Sequence, residues 1–598
     1  MPLTNADVAE VFDEIADLLE IQAANEFRVR AYRNASRVVR GWPTRLSAHI
    51  TDGKELPKLP GLGKDLTAKV VEFVKSRRLA MLEDLRKKTP PGLLELLKLP
   101  GIGPKRIARL QAELKINSIA TLGKALESGR LEELEGFGPK IKERLKAELE
   151  KIKNKTGGPE GRMSLAHAGQ IAEPLLAYLR ESRAAIQVIA AGSFRRGLET
   201  IGDLDILVST RTAAASEKIT RHFLAYEEVA EVRAQGTTRS TVILKSGVQV
   251  DLRVVGEASY GAALHYFTGS KAHNIAIRML GMKRGLKINE YGVFRGSSRV
   301  SGRTENEVFA SVDLPYIEPE LRENRGEIDA SRDHGLPKLV TLDQIRGDLH
   351  SHTKETDGRN TIHEMALEAK RLGYEYLAIT DHSKRLTVAS GLDVRRLGAQ
   401  IREIDRLNER FNDEGIGIQI LKSIEVDILE DGRLDLPDSI LSRLDLTVCS
   451  IHSYFTLSPK KQLERLIRAM DNPYFNILGH PSGRLIGRRE PRARMDFDIE
   501  KLILAARDRG CFLEINAQPE RMDLDDTHCR LAKEMGVKLV ISTDSHSEHD
   551  LVSMKYGVLQ ARRGWLEAGD IVNTRSWAEV QALLRRPQGG SRDAKKAA

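Results

Sequence analysis

The chain has 598 residues, several times the usual size of one domain, so a multidomain protein is expected. Hydrophobic residues make up 41% of it, which excludes a mainly disordered chain. The formal charge of +9 is modest, but the surplus is local. Between residues 27 and 155, thirty Lys and Arg stand against fifteen Asp and Glu. That imbalance suits a polyanionic partner, nucleic acid first, with a solvated helical surface as the other reading. The three cysteines, Cys449, Cys511 and Cys529, form no CxxC pair, which fits a reducing compartment and argues against a thiolate zinc site. The N-terminus is acidic and amphipathic, and no apolar run reaches about 18 residues. Export and membrane spanning are not expected, and the expectation is a cytoplasmic protein.

Three stretches divide the chain: a polar Gly/Pro run at 153–161, a charged aperiodic run at 318–338, and a polar tail at 586–598. The first segment carries apolar residues at helical spacing. The middle mixes strands and helices. After Gly347, short β-rich runs alternate with amphipathic helical runs, the pattern of an α/β barrel. Nine of the 15 histidines fall between His350 and His549.

The first segment contains a repeat. Leu59-Pro60-Gly61-Leu62-Gly63-Lys64 returns as Leu99-Pro100-Gly101-Ile102-Gly103-Pro104-Lys105, and more loosely as Leu134-Glu135-Gly136-Phe137-Gly138-Pro139-Lys140. Each copy is a tight turn opening a helix, whose free N–H groups suit a phosphate. The repeat resembles the helix-hairpin-helix motif of sequence-independent DNA binding. Gly61, Gly63, Lys64, Gly101, Gly103 and Lys105 are the expected DNA contacts. The resemblance further implies Na⁺ or K⁺ held by the carbonyls of Pro57, Leu59 and Leu62, and of Leu97, Leu99 and Ile102. The run Phe27-Arg28-Val29-Arg30-Ala31-Tyr32-Arg33 offers basic and aromatic side chains to a DNA end. Its other reading is an amphipathic helix with Phe27 and Tyr32 in its core.

Gly192-Ser193-Phe194-Arg195-Arg196-Gly197 precedes Gly202-Asp203-Leu204-Asp205 in a β pattern. Period two sets Asp203 and Asp205 on one face. A hairpin turning at Ser246-Gly247 leads to a strand in which Gln249, Asp251 and Arg253 share a face, so Asp251 can converge on the first two carboxylates. Clustered carboxylates are costly unless cations neutralise them, and hard oxygen ligands select Mg²⁺ or Mn²⁺. Two such ions suit in-line phosphoryl displacement. Gly192-Ser193 and Arg196 suit the terminal phosphates of a nucleotide.

This region resembles the palm of the family X DNA polymerases, the DNA polymerase beta family, and the match runs through Tyr266-Phe267-Thr268-Gly269-Ser270, Asn274 and Ile288-Asn289-Glu290-Tyr291-Gly292. By that resemblance Ser193, Arg196 and Gly202 hold the triphosphate, with Arg162 a further contact. Tyr266 and Phe267 flank the sugar, and Asn274 reaches the base. Lys271 stands where the animal enzymes carry an acidic residue. Lys69 stands where family X lyases carry their nucleophile, implying 5′-deoxyribose-phosphate lyase action. A phosphate-contacting lysine is the alternative.

The last region places ligand-type residues after successive β-rich runs: His350 and His352, Asp357, His382, Glu425, His452, His480, and Asp544 with His546. A barrel gathers such strand ends at one mouth. Imidazole with carboxylate suits Zn²⁺ or Mn²⁺, and nine ligands suffice for three ions. The pattern resembles the PHP (polymerase and histidinol phosphatase) metallohydrolase domain, with all nine metal positions filled. Thr356 and Ser423 are small departures that remove no ligand. His363, His528 and His549 lie outside the pattern and read as structural. Arg484, four residues after His480, is a candidate phosphate clamp; a surface arginine is the other reading.

The whole order resembles the bacterial PolX family. The expected fold is multidomain: an all-α helix-hairpin-helix region, an α+β nucleotidyltransferase palm and thumb, and a PHP-type α/β barrel. Expected domains are an N-terminal DNA-end-binding domain at 1–80, helix-hairpin-helix fingers at 81–155, palm at 156–255, and thumb with nucleotide selection at 256–318. A linker at 319–340, the PHP domain at 341–585 and a tail at 586–598 complete the order. The implied function is template-directed DNA polymerisation on short gaps in base excision repair. The PHP domain would add metal-dependent 3′→5′ exonuclease action, extending to abasic sites or blocked 3′ ends. Expected partners are gapped or nicked DNA and dNTPs, with no membrane, and the protein is expected to be a monomer. The alternatives are a nucleotidyltransferase for a non-DNA substrate and a non-catalytic DNA-end-binding scaffold.

Overall fold

The computed structural model describes residues 5–22, 24–40, 46–51, 56, 59, 62–76, 78–89, 93, 96, 104–116, 119–127, 131, 162–486 and 492–584. The chain divides into two compact units, Met1–Gly157 and Gly158–Ala598.

In the first unit, helix Asn5–Ile21 presents Val8, Phe12, Ile15 and Leu19 on one face, the spacing of a helical stripe. That stripe packs on helix Glu26–Arg40, where Val29, Tyr32, Ala35 and Val39 are buried. Burying each large side chain contributes about 1.5–3 kcal/mol. Helices Lys64–Ser76 and Ala80–Lys88 close this core through Leu66, Val70, Leu82 and Leu85. Helices Pro104–Leu114 and Ile119–Glu127 form a second small core around Ile107, Leu110, Leu122 and Leu126. The run around Tyr32 divides between its two readings. Tyr32 is buried with its hydroxyl on Met81 Sδ at 2.9 Å, whereas Phe27 is 79% exposed beneath the Arg30 guanidinium.

The second unit begins with a five-stranded mixed sheet. Its strands are β1 (Gln187–Ala190), β2 (Leu204–Thr210), β3 (Val229–Ala234), β4 (Arg239–Leu244) and β5 (Gln249–Gly256), in the order β1-β2-β5-β4-β3. Strands β2 and β5 are parallel and the other neighbours antiparallel. One face, with Leu204, Ile206, Val208, Leu252 and Val254, packs on helices Leu165–Arg180 and Ala213–Leu224. The other face carries Asp205, with Leu207 beneath helix Tyr260–Thr268. A three-stranded meander of β6 (Lys287–Asn289), β7 (Gly292–Arg295) and β8 (Ser298–Ser301) follows.

The charged stretch expected to be a linker is built into the fold. Arg322 and Glu327 are wholly buried, and Arg322 pairs with Glu305 at 2.5 Å while Glu327 pairs with His273 at 2.7 Å. Its charges look aperiodic in sequence because their partners lie on other elements.

The rest of the unit is a parallel α/β barrel. Strands β9 (Gly347–Asp348), β10 (Tyr376–Ile379) and β11 (Gln419–Lys422) pair in order. Strands β12 (Glu425–Asp427), β13 (Val448–Ser450), β14 (Ile477–Leu478), β15 (Phe512–Asn516) and β16 (Leu539–Ser542) form the remaining wall. Parallel bridges His382↔Glu425 and Ser351↔Ser545 join the two sheets and close the ring. Period-two alternation divides the strand side chains: Tyr376, Ala378, Leu421, Val448, Ile477 and Val540 form one cluster, while Leu377, Ile379, Ile420 and Ile541 pack toward the helices. Among the described residues no helix is long and apolar enough to cross a membrane.

Candidate active sites

In the palm, the parallel register sets Asp205 directly opposite Asp251, with Asp203 in the bend just before β2. The Asp251 carboxylate accepts from Thr241 Oγ1 at 2.5 Å and Gln249 Nε2 at 2.7 Å, which fixes its rotamer. Burial and then the charges of Asp203 and Asp251 push Asp205 up to about 7, only partly offset by Arg253 and Arg196. Burial and Asp251 likewise raise Asp203, against Arg162. These are the marks of a carboxylate cluster that lacks a counter-charge of its own. Gly192 explains the local sequence: its φ is +60°, and a Cβ there would stand 2.3 Å from Asp205 Oδ2.

Ser193 lies in the single turn Gly192–Arg195 that follows β1. Arg162 covers Gly202, at 3.1 Å from where its Cβ would be, and donates to Thr200 Oγ1 at 2.9 Å. Arg196 donates from Nε to Glu323 at 2.9 Å and from Nη1 to the Thr268 carbonyl. Arg195, its neighbour in the motif, is instead a fork on Glu305, at 2.9 and 2.6 Å. Tyr266 and Phe267 meet edge to face at 5.2 Å, with the Arg253 guanidinium 4.9 Å from the Phe267 ring. Asn274 donates to the Tyr266 carbonyl at 2.7 Å, leaving its buried Oδ1 without a partner.

In the barrel, all nine predicted side chains meet at the carboxyl ends of the strands. Three groups have ligand atoms close enough to share an ion: His352, Asp357, His382 and His546; His350, His352 and Glu425; and His382, Glu425 and His452. His480 Nε2 is 3.0 Å from Glu425 Oε1, and His352 Nε2 is 3.2 Å from Asp544 Oδ1. Buried His350 Nε2 and both nitrogens of His352 make no hydrogen bond of good geometry, and His382 Nδ1 faces Glu425 Oε2 at 2.8 Å without one. Orphaned buried lone pairs are costly, and a cation is the partner this donor set fits.

Against burial, His452, His382 and His350 hold Glu425 well below the usual carboxylate range. Asp544 is lowered by His350, His352 and Arg521, also against burial. Burial pushes His352 down to about 3, reinforced by His546 and His382, whereas Glu425 and Asp357 outweigh burial and carry His382 up to about 10. His480 and Asp544 have φ of +28° and +52°, left-handed conformations that turn both side chains at strand ends. Gly358 is required beside Asp357, since a Cβ would lie 2.7 Å from the His352 backbone.

Sequence reasoning did not single out the carboxylates behind these histidines. Glu514 holds His350 Nδ1 at 2.7 Å and accepts from the His480 backbone N–H at 2.5 Å. Asp427 holds His452 Nδ1 at 2.8 Å. Asp427 lies two residues after the recognised ligand Glu425 on the same strand, which is the signal that could have found it, whereas Glu514 adjoins no recognised ligand in sequence. Arg484 is neither clamp nor surface residue. It is half-buried, forked onto Glu199 at 3.2 and 2.6 Å, with Nε donating to the Arg521 carbonyl at 2.9 Å, so its guanidinium is engaged by the protein itself. Arg521 lies at the centre instead, with Nε 3.3 Å from Asp544 Oδ2 and a buried Nη1 without a partner. His528 pairs with Asp525, and His549 is exposed.

Lys69 is on helix Lys64–Ser76, with Nζ 2.5 Å from Asp65 Oδ1. The Leu62 N–H donates to the Leu59 carbonyl at 3.2 Å, and Lys64 is exposed at the helix start. Pro57, Gly61, Leu97, Leu99, Gly101, Ile102 and Gly103 lie outside the described residues, as do the Lys105 side chain, the third hairpin copy, the 153–161 run and the tail.

Carboxylates crossing a nucleotidyltransferase-like sheet, with a histidine barrel in the same unit, define a phosphoryl-transfer protein with two centres. Comparison with known proteins gives the class its family. The DNA polymerase beta palm matches residues 162–257 and the DNA polymerase beta thumb matches 263–323. A helix-hairpin-helix domain matches 3–79, a SAM-like helix-hairpin-helix tandem 93–151, and the PHP domain 348–518. The DNA polymerase/3′-5′ exonuclease PolX of Bacillus subtilis strain 168 is 38% identical over 584 residues, covering 97% of this chain and 99% of that one. A probable phosphatase of Thermoanaerobacter sp. strain X514 is 31% identical over 239 residues, covering 38% of this chain and 89% of its own. One from Caldanaerobacter subterraneus is 33% identical over 211 residues, covering 33% and 75%. The chain belongs to the PolX family: it is a family X DNA polymerase carrying a PHP domain.

Proposed function

We propose that the chain fills short gaps in DNA during repair, adding dNTPs at the palm, and removes nucleotides from 3′ ends at the barrel. The observation that carries the first half is the Asp205↔Asp251 register with Asp203 beside it. Asp203 and Asp205 would hold two Mg²⁺ or Mn²⁺ ions, and Asp251 the one nearer the primer 3′-hydroxyl. When bound, such ions stabilise the attacking and leaving oxygens of an in-line displacement. Thr241 and Gln249 keep Asp251 aimed at that position. Ser193, Arg196, Gly202 and Arg162 receive the triphosphate, Tyr266 and Phe267 the sugar, and Asn274 turns from the Tyr266 carbonyl to the base. Primer extension on gapped DNA with dNTPs and rNTPs tests this. Asp251→Ala must lose incorporation while still binding the gap, and retained incorporation overturns the assignment.

The second half rests on the nine converging ligands and on the exonuclease named in the Bacillus subtilis relative. His350, His352, Asp357, His382, Glu425, His452, His480, Asp544 and His546 would hold Mn²⁺ or Zn²⁺. Arg521 takes the phosphate role once expected of Arg484, its free Nη1 meeting a phosphodiester oxygen. Trimming of abasic or blocked 3′ ends extends the same chemistry. The hairpins bind the DNA backbone, with Na⁺ or K⁺ at their carbonyls. Lyase action at Lys69 requires its amine to leave Asp65, and borohydride trapping on a 5′-deoxyribose-phosphate substrate decides it. The reading includes a cytoplasmic monomer; the three buried cysteines, none of them in a disulfide, support that compartment.

A further inference from the structure

The loop carrying Ser193 and Arg196 does not rest on the palm alone. Its outer side lies on a barrel helix, Met554–Arg563. Phe194, Tyr556 and Leu559 pack together on the palm core. Leu559 lies so close to Gly197 that a Cβ there would meet its Cδ2 at 3.4 Å. Glu199, just after the loop, accepts from Arg484 and from Gln560 Nε2, the latter at 2.8 Å. Arg563 reaches the loop backbone itself. Its Nη1 donates to the Arg196 carbonyl at 3.0 Å and to Glu323 Oε1 at 3.2 Å, the oxygen that also accepts from Arg196 Nε. Its Nη2 is anchored on Asp526 at 2.6 Å.

We propose that Arg563, a residue of the barrel, is a positioning residue of the polymerase centre, fixing Arg196 and its loop for the incoming triphosphate. The proposal rests on the reading of that loop as the triphosphate site. Glu323 lies between two guanidinium groups. With Arg563 present, Glu323 divides its charge and the Arg196 carbonyl is pinned, so the loop backbone and the Arg196 side chain are fixed separately. Without it, Glu323 closes on Arg196 alone and the carbonyl loses its donor. A buried network loses most when one charged member is removed, because the others are left uncompensated. Since the loop grips the triphosphate before and during reaction alike, the loss appears in KM rather than in kcat. The partners of Arg563 are Arg196, Glu323 and Asp526, none of the nine barrel ligands, so 3′-end removal is untouched.

The test uses the full chain with Arg563→Ala and Arg563→Lys, a dNTP titration on gapped DNA, 3′-end degradation, and thermal melting. Arg563→Ala should raise the dNTP KM roughly tenfold, with kcat within about twofold and the nuclease rate unchanged. Arg563→Lys keeps the charge between Glu323 and Asp526 but lacks the fork, and should raise KM about threefold. A wild-type KM in folded Arg563→Ala overturns the proposal, as does a nuclease rate falling in step. If the alanine variant does not fold, the lysine variant decides, and an unchanged KM there overturns it. Arg196→Ala separates the two layers. An unchanged KM in that variant rejects the loop as the triphosphate site, whereas a raised KM there with normal Arg563 variants rejects the positioning role alone.

Discussion

The palm and the barrel both gather carboxylates for cations, but they treat charge in opposite ways. In the palm, Asp203, Asp205 and Asp251 face one another with arginines only at the edge, and the protein leaves Asp205 at about 7. In the barrel, histidines surround Glu425 and Asp544, and both are held ionised despite complete burial. One centre waits for cations to complete it, as suits ions that arrive with a nucleotide. The other keeps its carboxylates ionised with histidines and supports those histidines with Glu514 and Asp427, as suits ions that stay.

The largest effect that would break this contrast is at Asp251. Asp251→Ala should lower incorporation by at least about a thousandfold while 3′-end degradation in Mn²⁺ continues. Loss of the nuclease in that variant, with its survival in the histidine double variant, would show that the barrel is not its source. The reciprocal change, His350→Ala with His352→Ala, should lower 3′-end degradation by about a hundredfold or more and leave gap filling intact. Glu514→Gln sharpens the difference by testing retention: metal content after dialysis should report affinity weaker by about 10–100-fold. If the content matches wild type, the carboxylate behind His350 does not tune the centre. The smallest effect is on pH. A carboxyl raised to about 7 binds a proton below that pH and then cannot accept a cation. Gap filling at limiting Mg²⁺ should therefore fall by up to about tenfold per unit of acidification below about pH 7 and recover with excess Mg²⁺. A flat profile would remove Asp205 from the metal set.

The sequence was most legible where one residue type recurs at a local spacing. The stripes of Asn5–Ile21, the period-two carboxylates and the ligands after each barrel strand all follow from nearest-neighbour geometry. What escaped it was pairing across long separations. Arg484 follows a ligand histidine and looks like a clamp, but its carboxylate, Glu199, lies 285 residues away. The 318–338 run looks like a linker because Arg322 and Glu327 find their partners on the thumb. Glu514 lies in an apolar strand where nothing marks it until folding brings the His350 ring against its carboxylate. A buried charge announces itself in sequence only when its partner is near.

The three ligand groups of the barrel form a closed triangle: His352 joins the first to the second, Glu425 the second to the third, and His382 the third to the first. A neutral imidazole offers one lone pair, whereas a carboxylate offers several, so only Glu425 can serve two ions at once. An ion in the first group commits both His352 and His382, one in the second only His352 and one in the third only His382, so the first arrival dictates the ligands left for its neighbours. Filling is then ordered, and a metal titration should show distinct steps instead of three equivalent sites, with Glu425→Gln erasing the steps that depend on a shared oxygen.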